Sequence, residues 1–299
     1  TTTAVSTVTV ADTTTPIASA QNITVYLDGS GNASITASDI DNGSTDNCSS
    51  VSLSASKTTF TCSDVGANTV TLTSTDASSN SSTATSTVTV VDSTSPTAAA
   101  QNITVYLNSA GNASITASDI NNGSTDNCGT PSLSASKTAF TCADIGANTV
   151  TLTVTDGSSN AATAVSSVTV ADTTAPSAIA QNITVYLDGS GNTSITASDI
   201  DNGSTDNCGT PSLSASKTAF TCTDVGANTV TLTVTDGSSN TTTAVSTVTV
   251  ADTITPIASA QNITVYLDGS GNASITASDI DNGSTDNCSS VSLSASKTA

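Results

Sequence analysis

The sequence contains no Glu, Arg, His, Met or Trp, and only three Phe and four Tyr. Without His or Glu, general acid–base chemistry would rest on Asp alone, so no enzymatic activity is expected. The missing His, and the missing CxxC spacing among the seven Cys, argue against a zinc site. Four Lys face 24 acids, every one an Asp, for a net charge of −20. Such a surface repels phosphates, so nucleic acid is not an expected partner. No apolar run is long enough for a membrane-spanning helix, and no signal peptide is visible. No stretch has a helical period, which removes the loop-before-helix that a phosphate cradle needs.

What the sequence has is repetition. The segment QNITVYL begins at Gln21, Gln101, Gln181 and Gln261, and residues 21–58 and 261–298 are identical. A constant period of about 80 residues marks a repeat array and suits a spacer better than a catalyst. Each junction places a Pro (Pro16, Pro96, Pro176, Pro256) shortly after an Asp (Asp12, Asp92, Asp172, Asp252). A Pro there ends a strand ladder and stiffens the link. The boundaries read from these junctions are repeats at 12–91, 92–171 and 172–251. Residues 1–11 match the last strand of a preceding repeat, and 252–299 form an incomplete one. The expectation is a window on a longer array.

Within a repeat, Ile23, Val25 and Leu27 alternate with Thr24 and Tyr26 as in a half-buried strand. Asp28–Asn32 reads as a hairpin-type turn, SITASDI as the returning strand, and 41–48 as a long polar loop. VSLSASK, TFTC, TVTLTSTD and the run ending TVTVV supply the remaining strands, rich in the Thr and Val that favour pleated structure. Six or seven short strands per repeat predict an all-β fold: tandem Ig-like β-sandwiches, arranged as beads on a string or a rod-like fibre. A β-solenoid fits less well, because its coils repeat over far fewer residues.

Cysteines recur in evenly spaced pairs, Cys48/Cys62, Cys128/Cys142 and Cys208/Cys222, with Cys288 left over. One pair per unit predicts disulfides inside each repeat and an oxidising, extracellular or cell-surface location. A bridge closing so short a loop is worth about 3 kcal/mol, a large share of the stability of a domain with one Tyr and one Phe.

The ordered series D-x-T-x-P, N-I-T-V, D-N-C, F-T-C, G-x-N-T-V-T-L-T-x-T-D-x-x-x-N and S-T-V-T-V resembles the hyalin repeat, or HYR domain. It is most similar to the version in large secreted surface proteins of flavobacteria and their relatives. The chain departs from the common pattern in having no Cys before N-I-T-V (Ser19-Ala20-Gln21) and none in the final strand (Ala84 to Val90), which points to a variant subgroup. The resemblance implies an Ig-like fold, an adhesive or matrix role without catalysis, and export by the type IX pathway. The linkers also resemble that phylum's O-glycosylation sequon, with Thr13, Ser93, Thr173 and Thr253 as acceptors. A Thr-rich chain also produces such triplets by composition alone.

Strand direction predicts where the acids gather. Loop 41–48 and turn 76–80 should lie at the leading end of a repeat beside Asp12, and Asp28 and Asp64 at the trailing end beside Asp92. Carboxylates crowded at each junction would repel one another, and a hard cation taking six to eight oxygens would relieve them. The candidate Ca²⁺ ligands are Asp12, Asp46, Asp64, Asp76, Asn80, Asp92, Asp126, Asp144, Asp156, Asn160 and Asp172. Beside this stands the plainer account that Asp and Asn cap turns and keep the protein soluble. No cofactor is otherwise expected. Two functions remain open: the stalk or body of a surface filament, with neighbouring repeats or other copies of the chain as partners, or repeats that themselves bind glycans or surfaces. Lys57, Lys137, Lys217 and Lys297 read as solvated strand-end charges.

Overall fold

A computed structural model describes residues 1–297. In the first repeat the strands are β1 (Ile23–Tyr26), β2 (Asn32–Ser34), β3 (Ser52–Ala55), β4 (Thr59–Thr61), β5 (Gly66–Thr75) and β6 (Ser81–Val91). Alternation along β5 and β6 turns Val70, Leu72, Val88 and Val90 inward and leaves the intervening Thr half-exposed. Four strands pair in the order β1-β6-β5-β3. The long pair β5–β6 is antiparallel from Gly66↔Val90 to Thr75↔Ser81, and β1 runs parallel to β6 from Ile23↔Val88 to Tyr26↔Val91. A second, two-stranded sheet pairs β2 with β4, bringing Ala33 opposite Phe60. Phe60, fully buried, packs with Leu27, Ile35 and Ile40 against the inward residues of β5 and β6. Burying one such aromatic contributes about 2–3 kcal/mol. The fold is an all-β, Ig-like sandwich, repeated in tandem.

The second repeat has β7 (Ile103–Tyr106), β8 (Asn112–Ser114), β9 (Ser132–Ala135), β10 (Ala139–Thr141), β11 (Gly146–Thr155) and β12 (Ala161–Ala171). Its β9, β11 and β12 keep the register of the first. The third has β13 (Ile183–Tyr186), β14 (Asn192–Ser194), β15 (Ser212–Ala215), β16 (Ala219–Thr221), β17 (Gly226–Thr235) and β18 (Thr241–Ala251), around Phe220, Leu232 and their neighbours. Among the described residues, 1–11 and 252–297 contribute no strand to these sheets. The chain separates into two compact units, one of residues 1–105, 114–140 and 146–170, the other of residues 106–113, 141–145 and 171–297.

Two local expectations are corrected. The turn Asp28–Asn32 is not a hairpin between paired strands. It carries the chain from β1 in the larger sheet to β2 in the smaller one. SITASDI is strand only at its start, because Thr36 opens a single helical turn, Ala37–Asp39. Its amide and hydroxyl both donate to Asp39 Oδ2, at 2.6 and 2.8 Å, a reciprocal cap that competes with strand pairing. Those hydrogen bonds, the amide's first, hold the Asp39 carboxyl below the usual range.

Candidate functional site at the repeat junctions

The disulfides do not lie within repeats. They join Cys62 to Cys128, Cys142 to Cys208 and Cys222 to Cys288, each across 66 residues, with Cα atoms 5.2, 5.2 and 4.9 Å apart. The expected pairs Cys48–Cys62, Cys128–Cys142 and Cys208–Cys222 are overturned, and Cys48, not Cys288, is the free cysteine. The reason is the sandwich itself. Cys62 follows β4 at the trailing end, against the Asp28–Asn32 turn, whereas Cys48 lies at the leading end near Asp12. A bridge needs Cα atoms within about 7 Å, so the second cysteine of one repeat meets the first of the next. Cys62 and Cys128 both pack on the core of the first repeat, as Cys222 and Cys288 do on the third.

Gly31 makes this approach possible. At φ +73°, a Cβ on it would stand 2.5 Å from Cys62 Sγ and 2.9 Å from the Asn127 carbonyl oxygen. Gly111 and Gly191 occupy the same position at the other two bridges.

Three carboxylates converge beside the Cys62–Cys128 bridge, beside the Cys142–Cys208 bridge and beside the free Cys48. One oxygen each from Asp12, Asp46 and Asp76 lies within 4.8 Å of the others, and so it is for Asp92, Asp126 and Asp156, and for Asp172, Asp206 and Asp236. The first acid of each set comes from the linker, the second from the long loop and the third from the turn after the fifth strand of the repeat. Asp92 is 4 % exposed and Asp156 8 %. Like charges this close, shielded from bulk water, repel by about 3–4 kcal/mol per pair.

The surrounding donors satisfy only part of each set. Thr94 N–H donates to Asp92 Oδ1 at 3.1 Å and Cys128 N–H to Asp126 Oδ2 at 2.8 Å. Asn160 holds Asp156 through both its amide and its side chain, 2.7 Å each, and its Nδ2 also donates to the Asp92 carbonyl oxygen. Asn80 plays the same part for Asp76 and Asp12. Burial would raise the Asp76 carboxyl, but the Asn80 side chain and the amides of Asn80, Ser78 and Ser79 outweigh it and hold it below the usual range. Loss of solvent around the sulfur, then the Asp12 carboxylate, then Asp46 and Asp76, raise the Cys48 thiol above its ordinary value.

Of the sequence-predicted ligands, Asp12, Asp46, Asp76, Asp92, Asp126, Asp156 and Asp172 are thus brought together, with Asn80 and Asn160 beside them as donors. Asp64 and Asp144 lie outside these sets. Each accepts the amide of the Thr just before its helical turn, Thr61 or Thr141, and Asp64 also pairs with Lys57, which lies over the Phe60 ring at 5.1 Å. Lys57 is therefore no merely solvated charge. The linker residues Thr13, Ser93, Thr173 and Thr253 are exposed.

Sequence reasoning missed Asn127, Asn207 and Asn287, each the residue before the first Cys of its repeat. Asn127 Nδ2 donates to the Asp28 carbonyl oxygen of the preceding repeat at 3.1 Å and to Asp92 Oδ1 at 3.3 Å. Asn207 makes the same contacts with Asn108 and Asp172, and Asn287 with Asp188 and Asp252. The recurrent D-N-C triplet was the available signal. Also missed was Tyr26, 63 % exposed, with Tyr106 and Tyr186 alike.

No family model matches this chain, and no curated protein is similar to it in sequence. Solved structures of tandem-domain proteins are similar at low levels. An I-band fragment of titin is 10% identical, over 79% of this chain and 98% of that one, with a TM-score of 0.37. Protocadherin gammaB7, in a cis-dimer structure, is 14% identical over 86% and 78%, with a TM-score of 0.33. The chain also spans 37% of an endo-fucoidan hydrolase of glycoside hydrolase family 107, at 15% identity and a TM-score of 0.24. Among the described residues no helix is long and apolar enough to cross a membrane. Three disulfides are characteristic of an oxidising, extracellular setting.

Proposed function

We propose that this chain is a non-enzymatic spacer, part of the stalk or body of an extracellular filament or adhesin of the hyalin-repeat type. One observation carries the reading: every disulfide joins consecutive repeats rather than closing one repeat on itself. A module that binds or catalyses needs its own fold held together. A module that spans distance needs its connection to the next one held, and here sulfur is spent on the connection. Near-identity of the repeats adds support, since specific sites usually diverge between copies. Rotary-shadowed electron micrographs test it: threads are expected, and compact globules would reject the spacer.

A second reading is favoured by the tyrosines. Tyr26, Tyr106 and Tyr186 present one exposed aromatic face per repeat on the edge strands β1, β7 and β13. Aromatic faces with a polar tip suit surface recognition, and identical weak sites gain by avidity. In this reading the repeats hold glycans or surfaces. Glycan-array binding that disappears in the triple Tyr→Ala variant would favour it over a spacer alone.

A further inference from the structure

The carboxylate sets at the junctions leave particular oxygens without any donor. At the junction between the first two repeats these are Asp92 Oδ2, Asp126 Oδ1 and Asn127 Oδ1, all inaccessible to solvent. The same three atoms recur one repeat later, on Asp172, Asp206 and Asn207. A turn-capping role does not account for them, because the caps use the other oxygens: Thr94 takes Asp92 Oδ1, and Cys128 takes Asp126 Oδ2. Buried oxygens are ordinarily satisfied, and a recurrent exception asks for a partner from outside the protein, an ion or a water. The Asn127 oxygen belongs to none of the carboxylates, and its amide group stands beside the set, with Nδ2 3.3 Å from Asp92 Oδ1. Its amide is anchored by Nδ2 to Asp28 and Asp92.

We propose that the three junctions led by Asp12, Asp92 and Asp172 each bind one Ca²⁺ ion through three aspartates, joined at the second and third by the Asn127 and Asn207 side-chain oxygens. Oxygens bound at about 2.3–2.6 Å from one centre stand at most about 5 Å apart, and the aspartate oxygens of each set meet that limit at 4.8 Å. The donor set is all oxygen; the neighbouring sulfurs at Cys128 and Cys208 are locked in disulfides and offer no thiolate. That composition selects a hard cation. A set built from flexible turns, with room for water ligands, suits Ca²⁺ better than the tightly octahedral Mg²⁺. The first junction is the weaker site: of its oxygens only Asp46 Oδ1 is buried and unpartnered, and Asn47 turns its Nδ2 to Cys48 instead of to a preceding repeat. The amide ligand is therefore set in place by the preceding repeat. By linkage the ion must strengthen the docking that orients its ligand. This deepens the spacer reading and rests on it for the ion's role as a fastener; binding itself is a separate question.

Equilibrium dialysis of the full chain against ⁴⁵Ca²⁺ tests the site, after removal of divalent ions and with intact disulfides. Three ions per chain are expected, two of them tighter, with Mg²⁺ competing poorly. Asp156→Asn should remove one ion, and Asn127→Ala should weaken one tight site about tenfold while leaving the other unchanged. Asp188→Asn, a change that Asn108 already makes in the second repeat, should leave all three. If Asp156→Asn fails to fold by circular dichroism, Asn127→Ala decides. No saturable binding up to about 5 mM Ca²⁺, above the range of extracellular calcium modules, would overturn the proposal. So would a stoichiometry indifferent to both variants, or equal competition by Mg²⁺. Micrographs with and without chelator keep the two ideas apart: threads without any bound calcium leave the spacer standing and remove the ion.

Discussion

Load applied to the two ends of this chain travels by the shortest covalent route. From Cys62 that route crosses to Cys128, runs along the backbone to Cys142 and crosses again to Cys208. Within the second repeat only the short stretch from Cys128 to Cys142 bears load, and the chain between bridged cysteines, which stand 66 positions apart, hangs off the route. An extended residue contributes about 3.5 Å, so each bridge conceals about 230 Å of contour behind a Cα–Cα separation of 5.2 Å. Optical tweezers with handles on both termini would read this directly. The oxidised chain should reach its limit early. Reductant should then add three increments, each about 225 Å. Bridges inside the repeats, each closing only the stretch between neighbouring cysteines, would release only about 50 Å; that result, or no change on reduction, would refute the pairing and the mechanical argument with it. The same long loops make the bridges thermodynamically large, about 4 kcal/mol each by loop-closure entropy.

Other consequences are smaller in scale. Ser74 is fully buried in β5 with its hydroxyl unpartnered, where the second and third repeats carry Val154 and Val234. Ser74→Val should stabilise the first repeat by about 2 kcal/mol, seen as slower hydrogen exchange of β5 and β6 amides; unchanged exchange would mean the hydroxyl has a partner. Gly31→Ala should lower the yield of the Cys62–Cys128 bridge in non-reducing peptide maps. Gly43→Ala, also at positive φ but with nothing within 4 Å, should show only the backbone penalty of about 1 kcal/mol. Lys57, ahead of the Thr61 amide, depresses the Asp64 carboxyl. A depressed folded value means the pair stabilises above the unfolded carboxylate range near pH 4, with that gain lost as pH falls through the folded value. Lys57→Met should move the Asp64 titration upward by NMR, and an unmoved midpoint would remove the ion pair from the account.

Much of the junction was legible before any coordinates. Strand parity alone placed Asp46 and Asp76 beside Asp12, because a sandwich strand has two ends and an odd or even count decides which one a loop occupies. The parallel pairing of β1 with β6 and the helical turn at Ala37–Asp39 were not legible: both are too short for a period to show. The disulfides failed for a deeper reason. In a strictly periodic sequence, Cys62 stands at one constant interval from Cys48 behind it and at another from Cys128 ahead, and both pairings are equally regular. Each leaves one cysteine over, Cys288 in the first case and Cys48 in the second. Periodicity says that a contact recurs; it does not say whether the contact falls within a repeat or between two. What separates the alternatives is the length of the sandwich, which holds Cys48 and Cys62 at opposite ends and delivers Cys62 to the next repeat. The glycine that permits that approach, Gly31, already stood in the turn as a residue required by φ. Its second requirement, the bare space facing Cys62 and Asn127, exists only once two repeats are side by side. The same holds for the unpartnered Asn127 oxygen, so the features that define the junction belong to the pair of repeats and not to either one.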